Sequence, residues 1–284
     1  MKKCTVIDND SGEILNEQFN IDELEDIQRK KDIINKKKSD DEFKIFIDEN
    51  LGNFYFLFYK LIRKGIERQY IVRFLYLCTY MNYENKLLFG NSSCKSKYMR
   101  EKDFEEILRL SKREAMRTKQ CLLENNFLII NKNKVIQINK KYCIKGKIES
   151  AKKKSPKVRI FENGLKELYE KSKPREHKKL SLLIELLLYI NLKFNIICEN
   201  PQCEKIEDIK PMNLTKITKL LNFSTVQKLK KGLSNISIQD EKVIGIFTIG
   251  NKSMILINPR IYYKGTKVDD VQYLLNLFKL YKNI

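Results

Sequence analysis

Arg113, Arg117 and Gln120 fall about one helical turn apart in residues 111–125, where Ala115, Thr118, Leu122 and Leu123 gather on the opposite side. The outer side also carries Lys112 and Met116. An arginine fork can bond guanine at two atoms and a glutamine can do the same for adenine, so this face is suited to reading bases in a major groove. Ser111 stands where its side-chain oxygen would cap the helix, at the edge of the same face. A second helix over residues 224–236, with Ser224 as the equivalent cap, buries Val226, Leu229, Leu233 and Ile236 and exposes Thr225, Gln227, Lys228 and Lys231. It has no arginine. Lysine acts mainly as a point charge, so this face suits phosphate anchoring more than base reading, and Gly232 inside the helix costs about 1 kcal/mol relative to alanine. Lys132 and Lys134 in one turn and Lys252 in another are placed to meet phosphate or a minor groove.

Other chemistry finds little support in the residues. The single histidine, His177, opens a helix, where a capping or surface role is expected. One histidine excludes a two-histidine metal cluster of the kind that nickases use. No Gly-x-x-x-x-Gly-Lys-Ser/Thr segment cradles a nucleotide, and the carboxylates lie in mixed-charge stretches rather than as an isolated pair for two metals. Seven cysteines show no paired spacing. Cys78, Cys121 and Cys143 fall on apolar faces, where a thiol behaves as a small hydrophobe, and Cys198 and Cys203 lack the second pair that a zinc site needs. Binding without catalysis, metal or cofactor is the expectation.

The elements that would position these faces occur twice. Residues 135–146 (VIQINKKYCIKG) return as residues 254–265 (MILINPRIYYKG). Ahead of each, apolar residues recur every three or four positions over 66–82 and 177–194, which predicts a helix, and a short apolar strand follows at 86–89 and 195–198. Next comes a pair of helices with a tight joint, 99–110 with 111–125 and 213–223 with 224–236. Each half ends in two strands, 127–130 with 135–138 and 243–249 with 254–257, joined by turn formers at 131–134 and 250–253. Helix, strand, helix, tight turn, helix and hairpin is the order of a winged helix, in which the second helix of the pair enters the major groove while the hairpin reaches a neighbouring groove or the backbone. The fold class expected is therefore mainly α with small β-hairpins, an α+β arrangement of two tandem winged-helix domains. Winged helices also bind proteins, so the order alone leaves function open.

The expected divisions are an acidic arm at 1–50, made of a hairpin and a charged helix, a first winged helix at 51–146, a basic linker at 147–160, and a second winged helix at 161–284. The last of these closes in a helix over 270–281 whose stripe of Val271, Leu274, Leu275, Phe278 and Leu280 packs on its own half or serves a homodimer. Net charge is +20 over 284 residues, yet the first 50 hold 9 Lys plus Arg against 14 Asp plus Glu. A basic body of this kind attracts polyanions, and release of counterions from phosphate is the commonest use of such charge. No run of about 18 apolar residues is present and the first residues lack a long apolar core, so a cytoplasmic protein is expected, with no membrane partner.

The tandem order, the opening residues 5–14 (TVIDNDSGEI) and the closing residues 257–265 (INPRIYYKG) together resemble replication initiators of plasmids and phages from low-GC Gram-positive bacteria. The Asn-Pro-x-x-apolar-apolar-x-Gly ending is the most characteristic part, and the first copy departs from it with Lys140 in place of proline. The resemblance implies two winged helices on repeated double-stranded DNA at an origin and recruitment of a host helicase or helicase loader. A transcriptional or partition regulator at an operator and a protein-binding scaffold remain as alternatives.

Overall fold

The computed structural model describes residues 3–59, 65–89, 97–153, 155–191, 193–234, 236–249 and 252–281. Helices predominate and the strands form small antiparallel sheets. The chain divides into two units, residues 1–46 and 47–284. In the first, β1 (Lys3–Ile7) and β2 (Ile14–Asn20) pair as a hairpin and lead into α1 (Ile21–Asn50), whose residues from Ile47 on belong to the second. Asp8 builds the turn, its carboxylate accepting from the backbone N–H groups of Asp10 at 2.9 Å and Ser11 at 2.8 Å, while Gly12 supplies a φ of 73°.

In the second unit the chain forms β3 (Phe54–Phe58), α2 (Arg68–Cys78), β4 (Leu88–Phe89), β5 (Lys97–Tyr98), α3 (Phe104–Leu108), α4 (Lys112–Glu124), β6 (Leu128–Ile130), β7 (Ile136–Ile138) and β8 (Cys143–Ile144). It continues as β9 (Lys157–Phe161), α5 (Glu162–Lys171), α6 (His177–Leu186), α7 (Leu214–Leu220), α8 (Val226–Ser234), β10 (Ser237–Ile238), β11 (Glu241–Lys242), β12 (Ile244–Ile249), β13 (Lys252–Ile257), β14 (Tyr262–Tyr263) and α9 (Val268–Tyr281). The helices α2 and α6 are shorter than their apolar periodicity predicts. Thr79 stops α2 by donating its hydroxyl to the Tyr76 carbonyl at 2.7 Å, and α6 tightens into a 3-10 turn over Leu187–Tyr189.

The centre of this unit is a four-stranded sheet in the order β14-β9-β3-β8, and it corrects the expected linker. Residues 157–160 are not a tether. They form most of β9, where Val158 and Ile160 turn into the core and Lys157 and Arg159 turn outward, the two-residue period of a half-buried strand. The ladder between β3 and β9 reads the same from either strand about the pair Phe56–Arg159, with Tyr55 opposite Ile160 and Leu57 opposite Val158. The flanks obey the same rule, since β8 pairs with Phe56 and Leu57 as β14 pairs with Arg159 and Ile160.

Each stretch of the repeated sequence is held by one buried asparagine. Asn85, at φ 64°, donates its side-chain amide to the carbonyls of Ile138 at 3.3 Å and Cys143 at 2.7 Å. Asn195, at φ 51°, does the same for Ile257 and Tyr262, each at 3.0 Å. Asparagine suits these places because it tolerates the left-handed region and its amide satisfies carbonyls that no ladder reaches. Within the repeat itself, Asn139 and Asn258 accept from the backbone two residues ahead and donate to the carbonyls of Asn126 and Lys242.

Packing on its own half is what α9 shows. It buries Val271, Leu274, Leu275 and Phe278, and the ring of Phe247 of β12 lies tilted 4.8 Å from Tyr281 and edge-on 6.3 Å from Phe278. Leu280 departs from the expected stripe and stands exposed. Among the described residues, no helix is long and apolar enough to cross a membrane.

Candidate nucleic-acid interface

The joint between α3 and α4 is made by local rules. Arg109 ends α3 in the left-handed region at φ 51°, and Ser111 caps α4, its hydroxyl accepting from the Glu114 N–H at 3.4 Å. Because Ala115, Thr118 and Leu122 turn inward, Lys112, Arg113, Met116, Arg117 and Gln120 share the exposed face, as the spacing predicts. Arg113 makes no hydrogen bond or ion pair among the described residues. Arg117 lies 4.0 Å from a carboxylate oxygen of Glu114, and Gln120 donates to Glu124 at 2.8 Å, so both are loosely engaged within the helix. Such exposed pairs are worth about 0.3–0.5 kcal/mol and yield readily to a ligand.

Beneath this face is a polar network that the residue pattern did not announce. Arg73 of α2 is 3% exposed, and its Nη1 donates to Glu114 Oε1 at 2.6 Å and to the Thr118 hydroxyl at 2.9 Å, fastening two residues of α4 to the core. Its Nε donates to Nδ1 of His177 at 3.3 Å. His177 is therefore neither cap nor surface residue. It is buried, its ring stacks on Tyr169 at 4.3 Å, and burial together with the Arg73 charge pushes its pKa down to about 4. Tyr169 in turn donates its hydroxyl to the Leu108 carbonyl at the end of α3 at 2.9 Å, and Arg109 reaches the Glu170 carbonyl at 3.2 Å. The joint is thus gripped by α5, while α6 braces Arg73 through His177, both from the far half of the sequence. The one available signal was an arginine inside the apolar run Ile71-Val72-Arg73-Phe74-Leu75.

The first hairpin, β6 with β7, carries Lys132 and Lys134 at its exposed turn. Asn131 folds that turn by accepting from the N–H groups of Asn133 at 3.0 Å and Val135 at 2.9 Å, and Lys134 takes φ 57°. Between this turn and residues 97–102 runs a cleft of about 920 Å³ lined by Lys97, Arg100, Lys102 and Lys134 with Glu101 the carboxylate among them.

The second helix pair differs in detail. Asn213 caps α7, accepting from the Lys216 N–H at 2.8 Å, and α7 ends before Asn222 at φ 56°. The cap of α8 is not Ser224 but Thr225, whose hydroxyl accepts from the Lys228 N–H at 3.2 Å, so Thr225 is spent on the helix end although it remains exposed. Gln227, Lys228 and Lys231 are exposed along α8, and Leu229 and Leu233 are buried. Gly232 fits under Phe223, where an added Cβ would meet the ring at 3.3 Å. Lys252 opens β13, which pairs with β12 over six residues in the second hairpin, but its side chain lies outside the described residues, as do Gly250 and Asn251 of the turn.

Among the described residues, no group of three or more His, Cys, Asp or Glu is arranged to hold a metal ion. Burial pushes the Cys198 thiol up to about 11, and Cys203 donates to the Lys205 carbonyl at 3.4 Å. No protein-family model, curated protein or solved structure matches the chain.

Proposed function

We propose that the chain is a sequence-specific double-stranded DNA-binding protein built from two winged helices that arose by internal duplication, acting without catalysis. The observation that carries this reading is the exposed face of Lys112, Arg113, Met116, Arg117 and Gln120 on a helix fastened from beneath by Arg73. Base reading needs a helix held rigidly and side chains left free to reach, and α4 combines both. The paired asparagines, the matching strand ladders and the recurring helix pair followed by a hairpin support the duplication. The net charge of +20 supports a polyanionic partner.

Within that class we favour a replication initiator that binds direct repeats at an origin and recruits a host helicase or its loader, on the resemblance of residues 5–14 and 257–265. Selection of bound sequences from a random duplex library tests both levels. A recovered motif that recurs as direct repeats in the replicon carrying the gene supports an initiator, a single palindrome at the gene's promoter supports a regulator, and no enrichment at low salt removes the DNA-reading proposal.

A further inference from the structure

The Lys-Gly pair that closes each repeat occupies the same place in the sheet but meets different partners. Lys145 directly follows β8 and its Nζ pairs with Glu162 Oε1 at 2.6 Å, both side chains largely buried. Lys264 directly follows β14. Glu162 is the residue after β9, and the residue in that position after β3 is Tyr59, over whose ring the Lys264 Nζ lies at 5.3 Å. Among the described residues, the lysine that has a carboxylate in one half has an aromatic face in its place in the other.

Further cations gather on the same outward side. Lys157 of β9 is half-buried, and its ammonium donates to the backbone carbonyls of Lys153 and Ser155. Lys264 and Lys157, with exposed Lys153, line a cleft of about 400 Å³ with Ser155 and Thr266. Arg159 forms part of the wall, donating to the carbonyls of Gly265 at 2.8 Å and Lys264 at 3.4 Å, with its guanidinium over the rings of Phe54 and Phe56. Among the described residues, no carboxylate lies within 4.0 Å of Lys157 or Lys264. A second cleft of about 400 Å³, lined by Lys140, Lys141 and Lys152, shares Ser155 and Pro156 with the first. Each volume falls in the range of roughly 300–1,000 Å³ usual for small-ligand clefts.

Gathering cations without a counter-ion is unfavourable, and the lysines register it. Burial and then the Lys157 charge push the Lys264 pKa down to about 8, and burial and then Arg159 lower that of Lys157. Carboxylates are plentiful in the chain and serve other lysines, so their absence here leaves room for an anion from outside. Ammonium groups beside two hydroxyls offer the donors that phosphate oxygens accept.

We propose that the cleft of Lys157, Lys264, Lys153, Ser155 and Thr266 is a binding site for consecutive phosphate groups, set apart from the α4 face. The phosphates come either from a nucleic-acid backbone or from a free polyphosphate such as that of a nucleotide. This proposal does not depend on base reading by α4.

Inorganic tripolyphosphate, titrated into the full chain by calorimetry, tests it. Wild type should bind, and Lys157→Gln with Lys264→Gln should weaken binding at least tenfold. Thr266→Glu, a change at an exposed position that keeps both lysines, should do likewise, whereas Arg113→Ala with Arg117→Ala should leave it unchanged. Absence of binding by wild type, or affinity unchanged from wild type in both cleft variants, overturns the proposal. A random-sequence duplex added to the tripolyphosphate complex then separates the sources. Displacement assigns the site to a backbone and its absence to a free ligand, and both results presuppose the phosphate site.

Discussion

The two helix pairs differ most in what holds them. The first pair, α3 with α4, is fastened by Arg73 from α2, itself braced by His177, and is gripped at its joint by Tyr169 and Glu170, all three from the other half of the sequence. The second pair, α7 with α8, is stabilised by caps at Asn213 and Thr225 and by apolar contacts of Leu229 and Leu233. A buried arginine with three side-chain acceptors fixes both the position and the rotation of the helix it serves, while apolar packing fixes position with less directional constraint. The half with the arginine-bearing outer face is the half with the directional support. That coincidence is what a reader and an anchor would require.

The largest effect should come from removing the support. Arg73→Met removes the buried donor of three side-chain hydrogen bonds, one of them to the half-exposed Glu114 carboxylate, and should cost about 3–5 kcal/mol in chemical denaturation. If the loss is under about 1 kcal/mol, the comparison between the two pairs fails at its root. Next is the response to acid. In the fold His177 takes up no proton until about pH 4, whereas in the unfolded chain it does so below about 6.5. The unfolded state therefore holds more protons between those values, and stability should fall as pH drops from 6.5 to 4, by on the order of 3 kcal/mol from this group. His177→Phe keeps a ring against Tyr169 and should flatten that part of the stability profile relative to wild type.

A smaller pair of changes asks how alike the halves are. Asn85→Ala and Asn195→Ala each strand two carbonyls and put alanine at positive φ, so each should cost about 2–3 kcal/mol. Losses that differ by more than about 2 kcal/mol would show that the two asparagines are not the same device. The smallest effect belongs to α8, where Lys228→Gln should lower the salt dependence of duplex binding by about one counterion without altering sequence preference.

Much of this arrangement was readable along the chain because it is local. The cap at Ser111, the face of Arg113 and Arg117, and both hairpins follow from spacing and turn residues that act within a few positions. The central sheet was not readable. Residues 54–58 (FYFLF) are apolar throughout and show no alternation, and β9 was hidden in a lysine-rich run whose period of two becomes visible only after Pro156. His177 was misjudged for a similar reason, since its partner Arg73 is distant in sequence and a histidine at a helix start ordinarily faces water. The choice of Thr225 over Ser224 as cap turned on two adjacent hydroxyl residues that either could have served.

Hydroxyl-radical footprinting on a selected duplex, comparing wild type with Arg113→Ala and Lys228→Gln, tests the division into reader and anchor most directly. Wild type should protect two segments about one helical turn apart. Arg113→Ala should weaken the cognate site by about 1–3 kcal/mol and abolish base preference in one segment only, while Lys228→Gln weakens cognate and random duplexes alike. A single protected segment, or equal loss of base preference under both substitutions, would contradict the account.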